Sequence, residues 1–196
     1  MPPLTKFWLT TLKDLSQQPD TLTPLLTEIL ELCSSFTGAL PLPATRRSQT
    51  THAFFSVTNA PGHLMMITGF PSQELNNEVH EAYEAQFLSR FFAHAQHVWM
   101  RQIEVDIREL PIQGNKVVVN VSLGSKGDSA ETEEEGKGGW DVLTKTRQEA
   151  EEGDVVQGEV EGERAWVSVK GWEGEGQRDI NEEGRSVFHL QKIVGM

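Results

Sequence analysis

Cysteine and tyrosine each occur once among the 196 residues. The lone Cys33 excludes an intramolecular disulfide and a cysteine-based metal cluster, and its place in an apolar helical stripe predicts a packing residue rather than a nucleophile. No apolar run approaches the roughly eighteen residues that a membrane-spanning helix needs, and the first residues lack the layout of a signal peptide. We therefore expect an intracellular, cytoplasmic protein.

Basic residues are also scarce. Lysine and arginine number 17 against 29 aspartates and glutamates, which gives a net charge of −12. Most of the excess acid lies late in the chain, because residues 125–196 hold 9 basic and 18 acidic residues, whereas residues 1–124 hold 8 and 11. Binding to nucleic acid or to an anionic membrane needs a basic surface, so the sequence predicts neither partner.

The familiar catalytic motifs are missing as well. There is no P-loop, no serine elbow and no glycine pattern that opens a dinucleotide-binding helix. His94 and His97 lie three residues apart, but no third ligand and no zinc-protease pattern accompany them. We therefore predict no nucleotide, metal or redox cofactor.

What the sequence does contain is a regular succession of strands and helices. Residues 5–13 alternate in the manner of a strand. Thr23 is a suitable cap for a helix with Pro24 at its first position, and Gly38 suits the residue just past its end. The beginning of the chain is therefore predicted to be a strand followed by a helix.

A hairpin is the clearest element. Two runs, residues 51–58 and 63–70, are rich in aromatic and β-branched residues and flank turn residues at 59–62. A four-residue turn would pair Ser56 with Met65, so that His52, Phe54, Ser56, Met65 and Ile67 share one face. Both faces are mostly apolar, so we expect helices on one side of the sheet and a second sheet on the other.

A long amphipathic helix follows the hairpin. Ser72 is its predicted N-cap, and apolar residues at three- and four-residue spacing predict a helix reaching His97 or Trp99. Residues 99–110 then alternate as a strand that ends at a proline. The first 112 residues thus predict β-α-β-β-α-β, the ferredoxin-like order.

The hairpin, the long helix and the strand after it resemble the dimeric α+β barrel proteins, which include antibiotic-biosynthesis-type monooxygenases and EthD-like proteins. Residues 113–196 predict a degenerate second copy, with strands at 116–123, 164–172 and 186–194 and a short helix at 141–152. An acidic, low-complexity segment, residues 125–139, predicts a flexible loop. We therefore expect an α+β barrel with halves 1–112 and 113–196, either as a fused pseudo-dimer or as a homodimer of the first unit. The fused form is favoured, because structural repeats bury their open faces on neighbouring repeats.

The resemblance implies a cofactor-independent monooxygenase, cyclase or isomerase acting on a hydrophobic aromatic or polyketide-like substrate in a barrel cavity. A neutral imidazole on a strand or helix facing that cavity could serve as the base. The alternative is a noncatalytic ligand-binding or protein-interaction module, in which apolar side chains fill the same space. The candidate catalytic residues are His52, His63, His94 and His189. The candidate substrate-binding residues are Phe54, Ser56, Met65, Tyr83, Phe87, Phe91, Trp99 and Trp172.

Overall fold

The computed structural model describes residues 3–16, 19–37, 50–123, 140–144, 165–171 and 185–196. Within these ranges eight strands form one closed barrel. The strands are β1 (Leu4–Leu12), β2 (His52–Val57), β3 (His63–Phe70), β4 (Ala95–Ile103), β5 (Lys116–Leu123), β6 (Trp140–Thr144), β7 (Ala165–Gly171) and β8 (Arg185–Gly195). The helices are α1 (Thr23–Thr37), α2 (Gln73–Gln86) and α3 (Leu88–Phe92), with 3-10 turns at Pro19–Leu22 and Ile107–Glu109.

The strand order around the barrel is β1-β3-β2-β8-β5-β7-β6-β4, and β4 returns to β1. Every neighbouring pair is antiparallel. Two of these pairs, β2 with β8 and β4 with β6, join the early part of the chain to the late part. The expectation of an α+β barrel is therefore confirmed.

The barrel interior is mostly apolar. Its buried polar exceptions include Thr5, two residues before Phe7 on β1, and Arg101, which pairs with Phe7. Alternate residues of β1, β2, β3 and β5 point inward, as the two-residue period of a strand requires, and residues of the connection after β4 pack against them. We call this group the interior cluster. Its buried members are Phe7, Leu9, Ala53, Phe55, Val57, Met65, Ile67, Ile103, Val105, Ile107, Leu110, Ile112, Val117, Val119, Val121, Val167 and Leu190.

The opposite face of β1, β2 and β3 packs against the helices. The apolar residues between α1, α2 and the sheet form a second cluster, which we call the helix–sheet layer. Its buried members are Leu4, Trp8, Leu12, Leu22, Leu26, Ile29, Leu30, Cys33, Phe54, Leu64, Met66, Phe70, Val79, Tyr83, Phe87, Phe91 and Ala95. Each large apolar side chain buried there stabilises the fold by about 1.5–3 kcal/mol. Among the described residues, no helix combines the length and apolar character needed to cross a bilayer.

Several sequence predictions are confirmed to within a residue or two at each end. The first strand, the helix opening at Thr23, and the strands beginning near residues 116, 164 and 186 all appear as β1, α1, β5, β7 and β8. The acidic segment 125–139 lies outside the described residues, and the division into halves at residues 112 and 113 stays a prediction.

The predicted register of the hairpin is wrong by one residue. Phe55 pairs with Met65 and Phe54 with Met66. The turn begins at Thr58, whose backbone N–H donates to the His189 carbonyl of β8 at 2.7 Å, and Gly62 adopts a φ of 83° that favours glycine. The resulting five-residue turn moves Met65 and Ile67 to the interior side, away from Phe54, because a one-residue slip reverses the faces of a strand.

The long helix was also predicted wrongly. Helix α2 ends at Gln86, Phe87 leaves helical geometry at φ −124°, and the short α3 follows. Strand β4 then begins at Ala95, where it pairs with Leu12. The cross-strand pairing with β1 overrides the helical spacing of residues 95–98, and the end of the predicted strand is a 3-10 turn at Ile107–Glu109.

The short helix predicted at 141–152 is wrong in its first residues. Residues 140–144 form β6, which pairs with both β4 and β7. These two ladders satisfy the backbone of the segment on both sides, which a helix could not do at this place in the barrel. Residues 145–152 lie outside the described residues.

Candidate functional site

The structure does not gather the four candidate catalytic histidines. His52 and His189 both stand on the outer face of the barrel, because their neighbours Ala53 and Leu190 belong to the interior cluster. His52 is fully buried beneath the helices. His189 lies on β8, where its backbone N–H donates to Asn59 Oδ1 at 2.9 Å.

His63 and His94 lie near one end of the barrel. His63 begins β3 and pairs with Thr11, and its Nδ1 is 3.2 Å from the Ala60 carbonyl of its own turn. His94 lies in the turn between α3 and β4, where its carbonyl accepts from the Lys13 backbone at 2.9 Å. Both side chains are half-buried.

His52 has the most unusual surroundings of the four. Its Nε2 lies 2.7 Å from Thr37 Oγ1, at the end of α1, and its ring lies 5.8 Å from the ring of Phe70. Its Nδ1 is buried and has no hydrogen-bond partner among the described residues. Burial lowers the pKa of His52 to about 4, so the imidazole is neutral at pH 7.

A polar row crosses the sheet beside His52. Thr68 of β3 pairs with His52 on one side and with Lys6 of β1 on the other. Lys6 in turn pairs with Gln102 of β4, whose side-chain amide donates to Gln73 Oε1 of α2 at 2.6 Å. Polar side chains therefore interrupt the otherwise apolar helix–sheet layer along one line.

Two further buried polar atoms of the layer lack a partner among the described residues. They are Asn76 Oδ1 and Tyr83 Oη, both on the buried face of α2. Burial also raises the pKa of the Tyr83 hydroxyl. A buried polar group without a partner costs about 1–3 kcal/mol, so these three atoms are the points in the layer where a hydrogen bond from a ligand would gain most.

Sequence reasoning missed Asn76, Thr37 and Thr68. The burial of Asn76 could have been predicted from the sequence, because it lies three residues before Val79 and seven before Tyr83 and so shares the apolar face of α2. A polar residue in such a stripe marks a buried group that needs a partner. Thr37 and Thr68 carried no signal, because their role depends on how α1, β2 and β3 pack.

The candidate substrate-binding residues are divided between the two clusters. Phe54, Tyr83, Phe87 and Phe91 belong to the helix–sheet layer, whereas Met65 belongs to the interior cluster. Ser56 Oγ donates to the Gln191 carbonyl at 3.3 Å. Trp99 packs against the interior cluster, 5.7 Å from the ring of Phe188. Trp172 lies outside the described residues.

Aromatic rings dominate the part of the layer next to Tyr83. Trp8 lies 5.8 Å from Tyr83 in an edge-on arrangement and 5.2 Å from Phe91. The Trp8 indole N–H donates to Nδ1 of His97 at 3.0 Å. This part of the layer is therefore built from aromatic rings packed against one another.

A separate, open cleft lies at the end of β1. Its volume is about 540 Å³, and it is lined by Lys13, Asp14, Thr21, Ala93 and His94. Lys13 Nζ donates to the Phe92 carbonyl at 2.5 Å, so its ammonium group is held at the wall. The cleft lies apart from His52, and of the candidate residues it contains only His94.

The described residues contain no group of three or more histidine, cysteine, aspartate or glutamate side chains that could hold a metal ion. His94 and His97 do not share a helix face, since His94 lies in a turn and His97 on β4. The predicted helical spacing of this pair is therefore wrong.

No family model and no curated protein matches this chain. The solved structures that are similar to it include the following two. One is a candidate monooxygenase from Lactobacillus acidophilus NCFM, at 9% identity and a TM-score of 0.47, over 100% of this chain and 96% of its own. The other is an anthrone oxidase-like protein, at 12% identity and a TM-score of 0.49, over 100% and 93%. At these values neither protein's activity transfers to this chain.

Proposed function

We propose that this protein binds a small, largely apolar molecule in the helix–sheet layer at His52 and acts on it as a cofactor-independent enzyme of the monooxygenase, cyclase or isomerase type. The buried Nδ1 of His52, which lacks a partner among the described residues, carries the proposal. Asn76 Oδ1 and Tyr83 Oη offer further polar contacts in the same layer. The proposed substrate class is aromatic or polyketide-like, because aromatic rings make up the part of the layer around Tyr83 and could stack on a flat ligand.

The barrel interior is the alternative place for the substrate. Both the interior cluster and the helix–sheet layer consist of buried side chains, so packing alone does not separate the two places. The site is proposed in the helix–sheet layer because His52 Nδ1, Asn76 Oδ1 and Tyr83 Oη, which lack a partner among the described residues, lie there. The sequence alone had suggested a cavity within the barrel.

A neutral imidazole supports the proposed chemistry by accepting a proton from a phenol or from a carbon next to a carbonyl group. Anthrone illustrates the oxygenase case. Loss of a proton from its CH₂ group leaves a delocalised carbanion that O₂ oxidises, and CH₂ plus O₂ gives C=O plus water. The substrate supplies every electron, so the reaction needs no separate reductant.

Noncatalytic binding is the second candidate function, and one observation favours it. A pKa of about 4 leaves the His52 ring neutral at pH 7, so one ring nitrogen can accept a hydrogen bond, but it also makes the ring a weak base. A ligand-binding module would use the same atoms without proton transfer. Binding and turnover must therefore be measured separately.

The experiment uses anthrone and 1-naphthol as probes. Binding of each is followed by ligand-observed NMR, and turnover of anthrone by O₂ consumption above the spontaneous rate. We expect His52→Gln to weaken binding about tenfold and to abolish turnover, and the surface variant His80→Gln to leave both unchanged. Binding without turnover would establish the noncatalytic function, and the absence of binding by both probes would refute the site.

We also propose that the barrel is a fused pair of ferredoxin-like units. The first four strands lie in the order β4-β1-β3-β2 and the last four in the corresponding order β8-β5-β7-β6. This correspondence supports the fused arrangement over a homodimer, because the barrel closes within one chain. Sedimentation equilibrium should give a species of 21.9 kDa, and a stable dimer would contradict the proposal.

A further inference from the structure

The hydroxyl of Thr37 has two neighbours and one hydrogen. Its Oγ1 lies 3.1 Å from the Cys33 carbonyl, one turn earlier in α1, and 2.7 Å from Nε2 of His52. A carbonyl oxygen accepts hydrogen bonds and cannot donate them. The arrangement makes both bonds only if Thr37 donates to Cys33 and accepts from a protonated Nε2.

The other tautomer of His52 is less favourable. It would place the hydrogen on Nδ1, which is buried and has no acceptor among the described residues. Thr37 would then have to donate to Nε2 and give up its bond to Cys33. A buried N–H without an acceptor is among the rarest features of native proteins, rarer than an acceptor without a donor.

We propose that Thr37 holds His52 as the Nε2–H tautomer and thereby makes Nδ1 the hydrogen-bond acceptor of the site. The ligand is then a neutral molecule that donates a hydroxyl or N–H group. The inference rests on the proposed ligand site. Asn76 Oδ1 is a second bare acceptor in the layer and favours the same class of ligand. Thr37 is thus a positioning residue, since it acts through His52.

The proton position is tested without any ligand. Long-range ¹H–¹⁵N correlation spectra at pH 7 distinguish a protonated from a bare ring nitrogen, and the signals of His52 are those missing in His52→Gln. We expect a single tautomer with bare Nδ1 in the wild type and in Thr37→Ser, and a mixture of tautomers in Thr37→Val. A wild type protonated on Nδ1, or a Thr37→Val variant with the wild-type tautomer, would overturn the role of Thr37.

The ligand class is tested with three probes of similar shape. 1-Naphthol donates a hydrogen bond, 1-methoxynaphthalene does not, and 1-naphthoate is an anion. We expect 1-naphthol to bind about tenfold more tightly than the other two and to shift the Nδ1 resonance, and Thr37→Val to lose this preference. Equal binding of the ether, or tighter binding of the anion, would overturn the inferred class. Binding of none of them would refute the proposed site, whereas the tautomer result would still decide the role of Thr37.

Discussion

The burial of His52 makes a quantitative prediction about stability and pH. The pKa of His52 is about 4 in the folded protein against an ordinary value of 6.5. The unfolded chain therefore binds one more proton than the folded chain between these two values, so the free energy of unfolding falls as the pH is lowered through this window. The stabilisation that comes from keeping His52 neutral is fully retained above about pH 6.5, and it is completely lost below about pH 4.

The magnitude follows from the size of the shift. One pKa unit corresponds to about 1.4 kcal/mol, so His52 alone accounts for about 3 kcal/mol across the whole window and about 2 kcal/mol between pH 7 and pH 5. This is a large part of the 5–15 kcal/mol typical of a domain.

The assay is urea unfolding of the wild type and of His52→Gln at pH 7 and pH 5. All other ionisable groups are common to the two proteins, so their contributions cancel when the two pH-dependent losses are subtracted. We expect the wild type to lose about 2 kcal/mol more than the variant. A difference below about 0.5 kcal/mol would refute the conclusion that His52 is buried as a neutral ring.

Two other residues give simpler predictions. A Cβ added at Gly69 would lie 2.2 Å from Ile107 Cγ2, so we expect Gly69→Ala to destabilise the protein by about 1–3 kcal/mol. A Cβ added at Gly171 would have nothing within 4 Å, so Gly171→Ala should change the free energy of unfolding by less than about 0.5 kcal/mol. Equal melting temperatures of the two variants would contradict this prediction. Burial raises the pKa of the Cys33 thiol to about 12, so a disulfide reagent at pH 8 should label Cys33 only after unfolding. Rapid labelling of the native protein would show instead that solvent and reagent reach the helix–sheet layer.

The sequence was sufficient to predict those elements whose pattern and end signals agree. Helix α1 has a proline at its second residue and an apolar stripe, and β5 is a run of valines between polar residues, so both were placed almost to the residue. The register of the hairpin could not be read in this way. It depends on the bond from Thr58 to β8, a strand more than a hundred residues away.

The sequence predicts that a histidine belongs to the candidate site, but it does not predict where in the fold that histidine lies. A histidine on the first hairpin strand is visible in the sequence, yet the face it occupies depends on the closed barrel. The polar contacts of His52 with Thr37 at the end of α1 come from packing between elements that have no local signal. The start of β4 is a similar case, since residues 95–98 suit both a helix and a strand until β1 provides a partner.

The closure of the barrel between β2 and β8 bears on how the protein is made. Ser56 and Gln191, which meet across this seam, are separated by 135 residues. During synthesis, β2 leaves the ribosome long before β8 exists, so the nascent sheet of β4-β1-β3-β2 has two unpaired edges for the whole interval. Contacts of such high sequence separation slow folding, and open edges can pair with other chains. We therefore expect the yield of native protein to depend on chaperones that shield these edges until the final strand arrives.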